Sequence, residues 1–398
     1  MANRDVYVVW DEAVTGYDFG PTHPMHPLRL DLTARLAMDF GLFDLGNVHV
    51  QPVGPIDEGK LARIHDADYI AAVRQAGAPE GLDAEDSAKY GIGSEDVPSF
   101  ENMHTASAML FQGSVDAACA IIGGDYDRAV NFSGGMHHAM PGSASGFCVY
   151  NDIAGAITEF LDAGYERIAY IDLDAHHGDG PEKIFWDDPR VLTISLHESG
   201  KYLFPGSGFP ADIGGLRAAA SAANIALPPR TGDADWLRAF DATVPALVRE
   251  FAPQVIVSQH GCDGHRMDPL THMRLSVDGM RVATGWVRDL AAEHCGGKWL
   301  ATGGGGYAIL DVVPRAWTNL VAIATGADID PGSPIPGRWA HYAQTTTGRE
   351  APLSMTDGFD GDFTAWSGGF DPESELDRAV MATRKNLFPF FGLDPYFD

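Results

Sequence analysis

The segment "RIAYIDLDAHHGDG", residues 167–180, sets Asp172, Asp174, His176, His177 and Asp179 within eight positions, directly after an apolar run. Burying that many titratable groups costs several kcal/mol each unless they are paired or hold a metal. In an extended strand residues i, i+2 and i+4 face one way, so Asp172, Asp174 and His176 share a face at the strand end. A carboxylate and an imidazole two residues apart suit a borderline metal such as zinc. A third ligand has to come from elsewhere, and Asp263 in "QHGCDGH" ends another predicted strand. Two oxygens and one nitrogen leave a coordination position open, the arrangement of a catalytic rather than a structural site. The competing reading, in which Asp174 and His176 only cap the next turn and helix, does not account for the matching aspartate at a second strand end.

Two further segments offer chemistry. "SGGMHHAM" carries adjacent His137 and His138. A carboxylate beside such a ring fixes its tautomer and favours the imidazolium, which makes the pair acid/base candidates. Asp172 and Asp179 are the spare carboxylates that could serve. "GGGGY", residues 303–307, invites a phosphate-loop reading, but no Gly-Lys-Ser/Thr follows it. The alternative is a closely packed backbone that delivers the Tyr307 hydroxyl to a developing oxyanion; a buried structural tyrosine is the competing reading.

These loops need elements to position them, and the sequence supplies a recurring unit. "AVNF", "RIAYIDLD", "RVLTISL", "QVIVSQ" and "KWLAT" are β-rich runs, each followed at once by a Gly-, His- or Asp-rich loop. Helical patterns lie between them. Ile153, Ala156, Ile157, Phe160 and Leu161 form one apolar stripe, with Asn151 or Asp152 to cap it and Gly164 to end it. Leu237, Phe240, Val244, Leu247, Val248 and Phe251 form another, interrupted by Pro245. Strands alternating with helices predict a parallel, doubly wound α/β sheet, whose site lies beyond the carboxyl ends of the strands. From about residue 326 the chain is rich in Gly, Pro and Thr, and it is expected to be an irregular extension, 326–398, packed on a domain spanning 1–325.

Charge and composition bound the function. Against 27 basic residues stand 55 acidic ones, a formal charge of −28 that would repel phosphate backbones and disfavours nucleic-acid binding. The same charge suits a cationic partner, or serves solubility alone. No apolar run is read as long enough to cross a bilayer, and the start, "MANRDVYVVWDEA", lacks the order of a secretion leader. Cys119, Cys148, Cys262 and Cys295 are scattered without a CxxC, which fits a reducing compartment, and the expected location is cytoplasmic.

Seven segments occur in a fixed order: "HPMHPLR", "GGMHHA", "SGFCVYND", "DLDAHHGDG", "FPGSG", "GCDGH" and "GGGGY". Over roughly residues 5–325 this set resembles the zinc-dependent histone deacetylase family, in particular its bacterial AcuC-like, class I-like members. The resemblance implies the arginase/deacetylase α/β fold, with a mainly parallel sheet between two layers of helices. It implies Asp174, His176 and Asp263 as ligands of one catalytic zinc ion, with iron as the other metal considered. His138 would be general base and acid, His137 its electrostatic neighbour, and Asp172 and Asp179 would orient His137 and His138 respectively. Tyr307 would donate to the carbonyl oxygen. Gly146, Phe147 and Phe204 would line a tunnel for the apolar stem of acyl-lysine, Asp96 would hold substrate backbone at the rim, and Leu270 would flank the mouth. Potassium would be held structurally by Asp172, Asp174, His176, Ser195 and Leu196, and a second ion by Phe185, Asp188 and Val191. His177 has no catalytic role in this scheme.

The implied reaction is hydrolysis of the acetyl amide of N-ε-acetyl-lysine in a protein, with acetyl-CoA synthetase the partner that AcuC-like members suggest. The alternatives are an acetylpolyamine or other small-amide deacetylase, and a non-catalytic acyl-lysine binder. Two departures bear on detail. His26 stands where many relatives carry lysine, and Gly178 stands where two-metal arginases have an aspartate, so a single catalytic metal is expected.

Overall fold

The computed structural model describes residues 5–398, so Met1–Arg4 of the segment read for a leader lie outside the described residues. Eight described strands form one sheet: β1 (Val6–Val9), β2 (Val48–Gln51), β3 (Arg128–Asn131), β4 (Ile168–Asp172), β5 (Val191–Glu198), β6 (Ala222–Leu227), β7 (Val255–Gln259) and β8 (Trp299–Thr302). Their order is β2-β1-β3-β8-β7-β4-β5-β6, and every neighbouring pair is parallel. Parallel neighbours need crossover connections, and helices supply them on the faces of the sheet. That is why β3, β4, β5, β7 and β8 read as continuous apolar runs: every residue in them is buried.

The topology gathers the chemistry. The chain passes from β3 to β4 and leaves a gap that β7 and β8 later fill. The loops after β3, β4, β7 and β8, which carry the candidate ligands of the catalytic metal and the acid/base groups, therefore leave four adjacent strands. Register levels their ends: Asp172 pairs with Gln259, Gln259 with Thr302, and Thr302 with Asn131.

The stripe at 153–161 is the helix Asp152–Asp162, and Asn151 is its cap, accepting from Ala154 N–H at 2.9 Å. The second stripe is two helices, Asp233–Asp241 and Val244–Phe251. Pro245 sits in the first turn of the latter, where its missing N–H breaks no helical bond.

Two sequence readings need correction. The helix Met103–Gly123 is by length and composition apolar enough to cross a membrane. It is a core helix here: 67% of its most apolar stretch is buried, and it packs on β1, β3 and the helix Asp152–Asp162. The extension from 326 is not wholly irregular, since it contains the helices Gly337–Thr347 and Glu375–Leu387. The latter is polar over most of its length, yet it buries Leu376, Val380, Met381 and Leu387 in the main core and packs on β6.

Candidate active site

Asp174 and His176 lie just beyond β4, and Asp263 lies just beyond β7, its neighbour. One ligand atom of each falls within 4.8 Å of the others, and all three residues are buried. His176 Nδ1 is 3.1 Å from Asp174 Oδ1 and 2.8 Å from Asp263 Oδ2. The carboxylates are oriented from outside: Gln259 Nε2 and Gly305 N–H donate to Asp174 Oδ2 at 2.7 and 2.8 Å, and Ala175 N–H donates to Asp263 Oδ1 at 2.9 Å.

These residues fit a cation. Burial and the Asp174 charge push the Asp263 carboxyl up to about 6. Burial opposes charge on His176, yet Asp263 and Asp174 hold its pKa well above the ordinary value. A field strong enough to keep a proton on a buried imidazole would hold a divalent ion among the same three groups. The backbone makes room for them: a methyl group on Gly305 would lie 2.2 Å from Asp263 Oδ2, and one on Gly261 would lie 2.0 Å from Asp174 Oδ2. The glycines of "GGGGY" thus answer a packing demand and cradle no phosphate. A methyl on Gly178 would meet Asp172 Oδ2 at 2.1 Å, so that position has no space for a second-metal aspartate.

Both expected histidine–carboxylate pairs form. His137 Nδ1 lies 2.8 Å from Asp172 Oδ2, and His138 Nδ1 lies 2.7 Å from Asp179 Oδ1. The two rings stand 4.0 Å apart, centroid to centroid. Their environments split them. Burial works against charge on His137, but Asp172 and Asp174 raise its pKa to about 9. Burial and the neighbouring His137 charge lower His138 to about 4, against the pull of Asp179. At neutral pH one ring is an imidazolium and the other a free base, the division of labour that acid/base chemistry requires.

Supporting residues that sequence reasoning did not assign complete the pairs. Tyr170 O–H donates to Asp172 Oδ2 at 2.6 Å. Asp152, read as a helix cap, instead holds the histidine loop: its carboxylate accepts from Gly135 N–H, Met136 N–H at 2.7 Å and Ser114 O–H at 2.5 Å. Arg29 of "HPMHPLR" donates to the carbonyls of Gly304 and Gly306 at 2.9 and 3.2 Å, which pins the loop before Tyr307. Asp268 Oδ2 accepts the Tyr307 N–H at 2.9 Å. For Asp152 the signal was its place as the last residue of "SGFCVYND"; for Asp268 there was none, because its partner is 39 residues away.

Tyr307 stands edge-to-face with Phe147, centroids 5.5 Å apart. Burial and the Asp263 and Asp174 carboxylates hold its hydroxyl well above the ordinary pKa, so it remains a donor. Phe204 packs 5.0 Å from the His138 ring and 6.3 Å from the His176 ring, and is 44% exposed. Gly146 fits between them: a methyl there would lie 2.4 Å from His138 Cδ2 and 2.9 Å from Phe204 Cε1. Asp96 Oδ2 accepts the Gly146 N–H at 2.8 Å, and the Leu270 N–H donates to Asp268 Oδ1 at 3.0 Å. His177 bridges Ser207 at 2.9 Å and Glu182 at 3.2 Å, tying the loop that bears Phe204. His26 Nδ1 accepts the Leu28 N–H at 3.1 Å at the start of the helix Leu28–Asp39.

Of the expected potassium groups, Ser195 pairs in register with Asp172, and its hydroxyl lies 2.8 Å from His197 Nδ1. Leu196 follows it on β5. Phe185, Asp188 and Val191 share the turn into β5, linked by backbone bonds of 2.9 and 3.2 Å.

Known proteins resemble this chain in sequence and in fold. The histone deacetylase domain matches residues 23–324. The acetoin utilization protein AcuC of Bacillus subtilis (strain 168) is 38% identical over 384 residues, 96% of this chain and 95% of that protein. AcuC of Staphylococcus xylosus is 38% identical over 358 residues, 90% of this chain and 91% of its own. The crystal structure of a histone deacetylase homologue from Aquifex aeolicus superposes with a TM-score of 0.82 at 27% identity, covering 96% of this chain and all of that one. A homologue complexed with SAHA gives 0.82 at 28% identity, with the same coverage. With an eight-stranded parallel sheet, four of whose strands carry this site at their carboxyl ends, the chain belongs to the histone deacetylase family and is a deacetylase, a hydrolase of amide bonds.

Proposed function

We propose that this protein is a zinc-dependent lysine deacetylase acting on N-ε-acetyl-lysine in proteins. The observation that carries the reading is the pair of histidine–carboxylate dyads, His137–Asp172 at 2.8 Å and His138–Asp179 at 2.7 Å, set against the buried Asp174–His176–Asp263 cluster. Those three residues would hold the metal, which when bound supplies a Lewis acid for the amide carbonyl and for water. His138 Nε2, left open by the Asp179 bond at Nδ1, takes the proton of the attacking water and returns it to the departing lysine amine. His137, kept as an imidazolium between Asp172 and Asp174, offsets negative charge gathering beside it. Tyr307 donates its O–H to the carbonyl oxygen as that atom gains charge. Phe147 and Phe204 offer flat apolar walls to the four-carbon lysine stem. Structural potassium at the two sites named above, a cytoplasmic location and acetyl-CoA synthetase as partner belong to the same proposal.

One observation favours a second reading. The charge of −28 would attract a polycationic substrate, so an acetylpolyamine is the alternative. Turnover of acetyl-lysine peptides and of N-acetylputrescine, with metal analysis of the same sample, decides between them. Faster turnover of the peptides, with about one zinc per chain, is expected. Preference for the polyamine would overturn the assignment, and acetyl-lysine binding without acetate release would make the protein a binder.

A further inference from the structure

The histone deacetylase match ends at residue 324, yet a residue beyond it reaches the loop that carries Asp263. Asp357 lies between the helices Gly337–Thr347 and Glu375–Leu387. Its Oδ2 accepts from His265 Nε2 at 2.7 Å and from Val277 N–H at 3.0 Å, while Oδ1 accepts from Arg315 at 2.9 Å. His265 is fully buried and stands two residues after Asp263. Its other ring nitrogen accepts the Met267 N–H at 3.1 Å, so both are committed and the ring cannot turn without losing a bond.

From His265 the contacts continue into the site. The Asp268 N–H donates to the His265 carbonyl at 2.8 Å. Asp268 in turn holds the backbone N–H of Tyr307 and of Leu270. The far end of this path is itself fixed. Asp278 Oδ2 accepts from the Thr356 hydroxyl and from the N–H groups of Asp357, Gly358 and Phe359, at 2.8 to 3.2 Å. A segment serving only to cover the core needs no such polar clamp, and buried polar bonds specify one geometry in a way that apolar contact does not.

We propose that Asp357 is a positioning residue for the active site. By orienting His265 it sets the 263–270 loop, which presents Asp263 to the metal and steadies Tyr307 through Asp268. The inference rests on the reading of Asp263 as a metal ligand.

The test compares Asp357→Asn, which keeps the size and one acceptor, with Asp357→Ala and with Arg349→Ala. Arg349 serves as control because it lies in the same extension with its side chain 58% exposed, and its partner Asp311 is outside the 263–270 loop. Zinc dissociation constants are measured by chelator competition, and kcat and KM at saturating zinc. Asp357→Asn and Asp357→Ala are expected to weaken zinc binding about ten- to a hundredfold, the scale of a lost supporting bond. They should lower kcat with little change in KM, while Arg349→Ala matches the wild type. Zinc affinity is read without turnover, so failure of the deacetylase assignment and failure of this inference are separable. A second arm uses the unmodified protein: zinc loading should slow amide exchange at residues 355–359 as well as at 263–270. Unchanged zinc affinity and kcat in folded Asp357→Asn overturns the proposal. So does zinc-induced protection that stops short of 355–359, which decides the matter if the variants do not fold.

Discussion

At the scale of single residues, what matters most is how closely grouped charges are told apart. His137 and His138 are neighbours in the chain, yet two carboxylates pull one toward about 9 while burial and that charge push the other to about 4. His138→Ala is expected to lower kcat by at least about a hundredfold, and Tyr307→Phe by about a hundred- to a thousandfold. Both should leave the thermal midpoint near that of the wild type, checked by steady-state kinetics beside calorimetry. Full activity in Tyr307→Phe would remove that residue from the mechanism. Gly305→Ala is a sharper probe. Its new methyl would sit 2.2 Å from Asp263 Oδ2 and must displace that carboxylate, so zinc titration should find the site weakened or lost. Most of these residues were legible in the sequence because catalytic groups keep type and spacing within short segments. Tyr170 and Asp268 were not, since a tyrosine in a strand and an aspartate in a loop have many uses until their partners are seen.

Elements decide where those residues stand. Four short strands with level ends carry the loops, and the histidine loop after β3 is held by Asp152, the first residue of the helix Asp152–Asp162. Removing that carboxylate strands the buried N–H groups of Gly135 and Met136, each at about 1–3 kcal/mol. Asp152→Ala is therefore expected to lower stability in denaturant titration and activity together. Retained activity at reduced stability would separate the helix from the loop. Strands β3, β4, β5, β7 and β8 were visible as apolar runs. β1 and β2 went unread because they lie outside the repeated unit of an apolar run followed by a loop of candidate catalytic residues, and β6, "AANIAL", because alanine signals no strand. The helix Glu375–Leu387 was hidden by its polar majority.

For the molecule as a whole, burial of neutral histidines makes folding sensitive to acid. His65, lowered to about 4 by burial, accepts the Asn151 N–H through Nε2 and so must stay unprotonated. Burial also lowers His260, to about 3. Between an ordinary histidine value of about 6.5 and these folded values the unfolded chain binds more protons, so stability rises with pH there. The contribution is complete above about pH 6.5 and is lost as pH falls toward 4 and then 3, at about 1.4 kcal/mol per unit for each ring. Between pH 7 and pH 5 the raised carboxyls of Asp263 and Asp268 act in the opposite sense, so the test is the difference: denaturant midpoints should fall less, or rise more, in His65→Gln than in wild type over that range. Identical pH dependence in the two proteins would contradict the burial argument for His65.

The sequence by itself determined the parallel α/β class and the family resemblance, and it named the candidate catalytic and ligand residues, because these depend on residue type, short-range spacing and motif order. Tertiary structure alone decided that β7 and β8 enter between β3 and β4, which brings loops from residues 131 to 307 to one place. It also decided that Asp152 and Asp268 anchor loops, that the helix Met103–Gly123 belongs to the core, and that Asp357 reaches His265 on the loop of Asp263. Each of those outcomes turns on a partner distant in the chain, and hydrogen bonding and burial carry no mark of such partners until the chain has folded.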